Sequence, residues 1–198
     1  MGELSEAGRD AMRGHGIRSV IDIRTGDEVA EAPSPYAAAA AYIHAPFALG
    51  RTMQIDQAAL AGTMPTELAK LARPESGFAD VVRAIARAEP GVVLHCVAGR
   101  DRTGFIVAVI LMALGVADDD VIADYVASDA ELEQEYQRYI AEHAGDETDI
   151  RASIARRAET MRVLLKSLRA EYGDGAGYLR TAGVAEPDID SIRAKLTA

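Results

Sequence analysis

The chain has 198 residues, 49% of them apolar and 26% charged, a balance that excludes disorder and suffices to bury a core without staples. Its 21 Lys and Arg stand against 31 Asp and Glu, and the net charge of −10 argues against a general nucleic-acid binder. A single cysteine excludes an internal disulfide, and the four histidines (His15, His44, His95 and His143) follow no zinc-ligand spacing.

The opening Met-Gly-Glu-Leu-Ser-Glu is acidic and lacks the apolar stretch of a secretory signal, so a cytoplasmic protein is expected. The β-branched run Ser19 to Arg24 predicts a first strand. Gly26 to Tyr36, with its Gly, Pro and acidic residues, reads as loop. A short apolar segment covers Ala41 to Phe47, and a helix is expected near residues 56 to 72. Phe78, Val81, Val82 and Ile85 recur at helical spacing and predict a helix from Phe78 to Ala88. After the Pro90-Gly91 turn, Val92 to Leu94 reads as a buried strand. The most apolar run, Phe105 to Ala117, is 13 residues long, too short to cross a bilayer, and predicts a buried helix from about Arg102 to Leu114. Asp118 is a candidate cap for a helix through Ser128. Further helices are expected at about 129 to 143 and 152 to 172, the latter with an apolar stripe of Met161, Leu164, Leu165, Leu168 and Tyr172. Two short ones follow near 174 to 182 and 187 to 196. Strands alternating with helices, then a helical C-terminal half, give an α/β fold within one domain spanning residues 1–198.

The chemistry concentrates in His95-Cys96-Val97-Ala98-Gly99-Arg100-Asp101-Arg102-Thr103-Gly104, between a buried strand and a helix N-terminus. The first N–H groups of a helix have no partner within it, and together with the helix dipole they attract an anion. Gly99 allows a turn that a Cβ would resist. The same field, with a guanidinium nearby, favours thiolate over thiol at Cys96, and the thiolate is the reactive form. Arg102 lies six residues on, where the loop can curl back, and its planar fork suits two oxygens of a phosphoryl group. Such a loop would hold a dianion over a nucleophilic sulfur.

Cys, five residues, Arg, then Thr is the signature of cysteine-dependent phosphatases. The full string His95 to Gly104 resembles an atypical bacterial tyrosine phosphatase family whose members read His-Cys-x-x-Gly-Lys-Asp-Arg-Thr-Gly. Val20-Ile21-Asp22-Ile23-Arg24 resembles an early strand of that family, and Ala176 to Val184 its C-terminal signature, so the likeness spans roughly residues 10 to 198. Arg100 stands where Lys is usual, which keeps the charge and changes the donor geometry. The family's opening Asn-x-Arg-Asp-x-Gly-Gly stretch is not visible, which leaves either a truncated start or a smaller sheet.

The resemblance implies a central, mostly parallel sheet flanked by helices, with a helical lid-like insertion at about 129 to 172. It implies hydrolysis of protein phosphotyrosine through a phosphocysteine intermediate. Phosphoserine, phosphothreonine and phosphoinositides are further substrate classes, and inorganic phosphate is the product and an inhibitor. Cys96 would attack phosphorus, and Arg102 would hold the equatorial oxygens. Val97, Ala98, Gly99, Arg100 and Asp101 would complete the phosphate-binding loop with Arg102. Some tyrosine phosphatases take their proton donor from a Trp-Pro-Asp loop, which a chain without tryptophan cannot have. In the resembling family that task is proposed for the loop aspartate, here Asp101, which otherwise orients Arg102 or caps the helix; Asp56 is a weaker candidate. Thr103 would stabilise the sulfur as a leaving group, His95 would fix the loop, and Arg100 would meet a second negative group. No metal, cofactor, nucleic-acid partner or integral membrane segment is expected, and export without a secretory signal stays open. A catalytically silent phosphopeptide-binding module and a sulfur-transfer enzyme remain the alternative readings.

Overall fold

Three short runs rich in β-branched and aliphatic side chains pair as a parallel sheet. The computed structural model describes residues 4–39, 41–47, 77–142, 147–155 and 157–197. Strand β1 (Ser19–Asp22) is central, with β2 (Tyr42–His44) on one side and β3 (Val92–His95) on the other. Both neighbours run parallel to β1. A central parallel strand is covered on both faces, which is why its side chains need not alternate, and all four β1 residues are buried. The register sets Asp22 opposite His44 on one side and His95 on the other. Three titratable side chains therefore share the carboxyl edge of the sheet, the edge at which α/β sheets hold ligands.

Helix α1 (Glu6–Gly14) precedes the sheet, with Ser5 accepting the Gly8 N–H as its cap. The segment read as loop from Gly26 to Tyr36 instead opens with helix α2 (Gly26–Glu31). Thr25 and Glu28 form a capping box: the Thr25 hydroxyl accepts the Glu28 N–H, and the Glu28 carboxylate accepts the Thr25 N–H. That reciprocal pair outweighs the poor helix propensity of Gly26 and Asp27. The expected helix at 56–72 lies outside the described residues, as does Asp56. Helix α3 (Phe78–Arg87) follows the predicted periodicity, and helix α4 (Asp101–Ala113) starts one residue before the expected range.

Helix α5 (Asp118–Glu131) is longer than predicted, and its N-cap is Ala117 rather than Asp118. Asp118 sits in the first turn, where its charge suits the helix dipole and its carboxylate accepts from Arg169 Nε and Nη2. Helix α6 (Glu133–Glu142) follows almost at once. The helix expected at 152 to 172 is two, α7 (Glu147–Ala155) and α8 (Arg157–Tyr172). Helices α9 (Gly175–Thr181) and α10 (Glu186–Leu196) close the chain. No helix among the described residues is long and apolar enough to cross a membrane.

The core gathers all three phenylalanines of the chain. Phe47, Phe78 and Phe105 pack with Tyr178, ring centroids 5.3 to 6.3 Å apart, all essentially without solvent exposure. Burial of each such side chain contributes roughly 1.5–3 kcal/mol. The stripe on α8 is buried at Met161, Leu164, Leu165 and Leu168, while Tyr172 is half-buried and packs edge-on against Tyr178.

Helix α9 approaches α4 closely because residue 175 has no side chain: a Cβ there would collide with the backbone of Ala113 and Val109. Gly175→Ala is expected to destabilise the fold by about 1–3 kcal/mol through overpacking. A shift of the denaturant midpoint with an unchanged slope would report it.

Candidate active site

The loop from Cys96 to Arg100 links the end of β3 to the start of α4. Val97, Ala98 and Gly99 face solvent, with Val97 61% exposed, whereas Cys96 beneath them is buried. Gly99 has φ +69°, and nothing lies within 4 Å of where its Cβ would stand. Glycine is favoured there by backbone conformation, not by crowding. The Cys96 N–H donates to the Thr103 hydroxyl oxygen at 3.1 Å, which ties the start of the loop to the first turn of α4. As an acceptor of that bond, Thr103 keeps its own hydroxyl proton to donate.

Arg102, also in the first turn of α4, gives Nη1 and Nη2 to the two carboxylate oxygens of Glu28 at 2.8 and 2.7 Å. Two of the five guanidinium N–H groups are thereby used. Burial works against the charge of Arg102, but Glu28 on one side and the Cys96 sulfur on the other hold it more firmly than usual. Glu28 in turn sits below its ordinary carboxylate range, chiefly because Arg102 hydrogen-bonds it and despite its own partial burial. Glu28 was not singled out in the sequence. Its only signal there is the spacing Thr25-x-x-Glu28, a capping box ahead of a short helix.

Asp101 has different partners. It accepts from Arg100 Nε (3.2 and 3.1 Å) and Nη2 (3.0 Å), and from the Tyr125 hydroxyl at 3.4 Å. Arg100 reaches further, giving Nη1 to the Tyr136 hydroxyl at 3.3 Å. The structure thus brings Cys96, Thr103 and Arg102 together with Glu28, and joins Arg100 and Asp101 to tyrosines of α5 and α6.

Beneath the loop lies a buried ionic cluster. Asp22 accepts from the Arg24 backbone N–H (3.0 Å), from Arg24 Nε and Nη2, and from the Tyr42 hydroxyl at 2.9 Å. Burial alone would raise its carboxyl, but Arg24, His95 and Tyr42 together bring it down to about 2. His95 Nδ1 lies 2.9 Å from the Cys96 carbonyl oxygen. A carbonyl only accepts, so Nδ1 carries the proton. Burial disfavours the imidazolium and moves His95 below its usual range, although the Cys96 carbonyl and Asp22 pull the other way. Its Nε2 stands 3.8 Å from Asp22, without a hydrogen-bond partner. Among the described residues, no group of three or more His, Cys, Asp or Glu side chains could hold a metal ion.

A family profile, the tyrosine phosphatase family, matches residues 1–198. The chain belongs to that family. A tyrosine-protein phosphatase of Nostoc commune is 30% identical over 210 residues, covering 99% of this phosphatase and 71% of the relative. The triple specificity protein phosphatase PtpB of Mycobacterium tuberculosis is 32% identical over 130 residues, 59% of this chain and 47% of that one. A putative tyrosine-protein phosphatase of Cupriavidus necator is 27% identical over 202 residues, 96% of this chain and 73% of that one. The phosphatase assignment sets aside the silent-module and sulfur-transfer readings.

Two expectations follow for this phosphatase. Glu28→Gln keeps the shape of the Arg102 partner and removes its charge, so kcat/KM on p-nitrophenyl phosphate should fall roughly tenfold with the fold retained, about 1.4 kcal/mol of transition-state stabilisation. The second concerns acid stability. Asp22 has its carboxyl at about 2 in the fold against an ordinary 3.8, so its stabilisation is complete above about pH 4 and is lost as pH falls toward 2. The loss should amount to about 2 kcal/mol. In denaturant titrations at stepped pH, Asp22→Asn should lack this step, from a baseline lowered by roughly 3 kcal/mol because buried Arg24 loses its partner.

Proposed function

We propose that residues 1–198 act as one phosphatase domain that hydrolyses protein phosphotyrosine through a phosphocysteine intermediate. The observation that carries this reading is the first turn of α4, where Thr103 accepts the N–H of the buried Cys96 and Arg102 is paired with Glu28 within electrostatic reach of the Cys96 sulfur. A phosphoryl dianion seated among the N–H groups of residues 97 to 102 would lie over that sulfur, with the remaining N–H groups of Arg102 on its equatorial oxygens.

In the first step the Cys96 sulfur attacks phosphorus and the bond to the tyrosyl oxygen breaks. Asp101, in its protonated form, gives its proton to that oxygen. Arg100 and Tyr125 aim donors at Asp101 and would stabilise the carboxylate left behind. In the second step water attacks phosphorus and returns a proton to Asp101. The S–P bond breaks, the Cys96 sulfur leaves as a thiolate stabilised by a hydrogen bond from the Thr103 hydroxyl, and inorganic phosphate leaves. Neither step calls for a metal or cofactor.

Tyr136 of α6 accepts from Arg100 of the loop and from Arg157 of α8, which supports a lid-like role for the helices within 129–172. The relative named a triple specificity protein phosphatase supports a range wider than phosphotyrosine; we further propose phosphoserine, phosphothreonine and phosphoinositides as substrate classes and inorganic phosphate as product and inhibitor.

Cys96→Ser and Arg102→Ala should each lower p-nitrophenyl phosphate turnover, measured without added metal, by at least about a thousandfold with unchanged circular dichroism. Unchanged turnover in Cys96→Ser rejects the mechanism. Asp101→Asn should slow phenyl phosphate more than p-nitrophenyl phosphate, because the poorer leaving group needs the proton more.

A further inference from the structure

The Tyr136 hydroxyl uses its full hydrogen-bonding capacity. Its proton goes to Asp129 Oδ1 at 3.0 Å. Its oxygen accepts Arg100 Nη1 at 3.3 Å and Arg157 Nη1 at 3.0 Å. A phenol has one donor and two acceptor sites, and all three are filled here. The ring also lies beneath Arg100, whose Cζ is 5.7 Å from its centroid. Tyr136 is buried, and so is Arg157, which pairs with Asp129 and stacks over the Tyr125 ring at 4.6 Å. Three helices, α5, α6 and α8, thus meet at one oxygen atom that touches the phosphate loop.

The loop end of this network is Asp101. Arg100 has committed Nη1 to Tyr136, and its opposite edge, Nε and Nη2, grips Asp101. A planar fork held at one end presents a fixed edge at the other. Tyr125, under Arg157, supplies a second donor to the same carboxyl.

We infer that Tyr136 is a positioning residue for proton transfer: its hydroxyl fixes Arg100, and Arg100 fixes the Asp101 carboxyl against the leaving oxygen. The inference rests on Asp101 being the proton donor, the reading argued above. Tyr136 touches neither the reacting atoms nor Cys96, so its loss should appear where the proton matters and not as a uniform loss of turnover.

The test uses the full chain and the ratio of kcat on p-nitrophenyl phosphate to kcat on phenyl phosphate. Tyr136→Phe keeps the ring and its packing and removes only the hydroxyl. The ratio should rise about tenfold in Tyr136→Phe and at least as much in Asp101→Asn. The double variant should show no further rise over Asp101→Asn alone, since Tyr136 acts through Asp101. A rise in Asp101→Asn with a flat ratio in Tyr136→Phe overturns the inference and leaves the proton donor standing. A flat ratio in Asp101→Asn overturns the proton donor and the inference with it. An additional rise in the double variant also overturns the inference, because Tyr136 would then act by another route. Should Tyr136→Phe fail to fold, Asp129→Asn reads the same network, with a rise of about threefold expected and a flat ratio counting against it.

Discussion

A half-buried cation must be compensated where it stands, and Arg102 is the case on which this site depends. Its guanidinium is held between the Glu28 carboxylate and the Cys96 sulfur. In the proposed mechanism, that single arrangement sets the face Arg102 presents to a phosphoryl group and keeps a positive charge beside Cys96. Glu28 can serve because α2 is itself pinned. The same carboxylate oxygen that accepts Arg102 Nη1 also accepts the Thr25 N–H, closing the capping box. A local helix-start device and a contact across 74 positions of sequence thus share one atom.

The sheet beneath makes a comparable demand. Asp22 ends β1 with no solvent exposure, and its charge is tolerable only because Arg24 and Tyr42 surround it with donors. His95 ends β3 in register with Asp22 and donates its Nδ1–H to the Cys96 carbonyl. The residue that begins the phosphate loop is therefore tied down on both sides of its peptide unit. The carbonyl is fixed by His95 from the sheet, and the N–H by Thr103 from the helix. Gly99 then supplies the one left-handed residue the turn requires. The loop needs no bulky packing at its start because its first residue is held by side chains from rigid elements.

The loop was legible because everything it needs lies within one string of ten residues at fixed spacing. Strands β1 and β3 and most of the later helices followed from runs of β-branched residues and from helical periodicity. Glu28 was not legible, because its segment carries Gly, Pro and acidic residues and reads as loop. Only the Thr25-x-x-Glu28 spacing hinted otherwise. Tyr125, Tyr136 and Arg157 belong to helices whose many charges match an ordinary solvated face. Which tyrosine turns inward depends on how α5, α6 and α8 pack, and periodicity does not encode that. The helix expected at 152 to 172 likewise proved to be two, and Arg157 opens the second.

The charge arithmetic of the site differs from that of the chain. Four arginines cluster around the loop and its supports, and each is matched by its own carboxylate: Arg24 by Asp22, Arg100 by Asp101, Arg102 by Glu28 and Arg157 by Asp129. The side-chain charges therefore cancel in pairs, inside a protein of net charge −10. A dianion is not drawn here by a broad excess of positive charge. What attracts it is orientation: N–H groups at the start of α4, the end of a helix dipole, and guanidinium edges already turned by their partners. Such a field weakens steeply with distance and rewards a ligand compact enough to sit within the loop. A phosphomonoester fits that requirement.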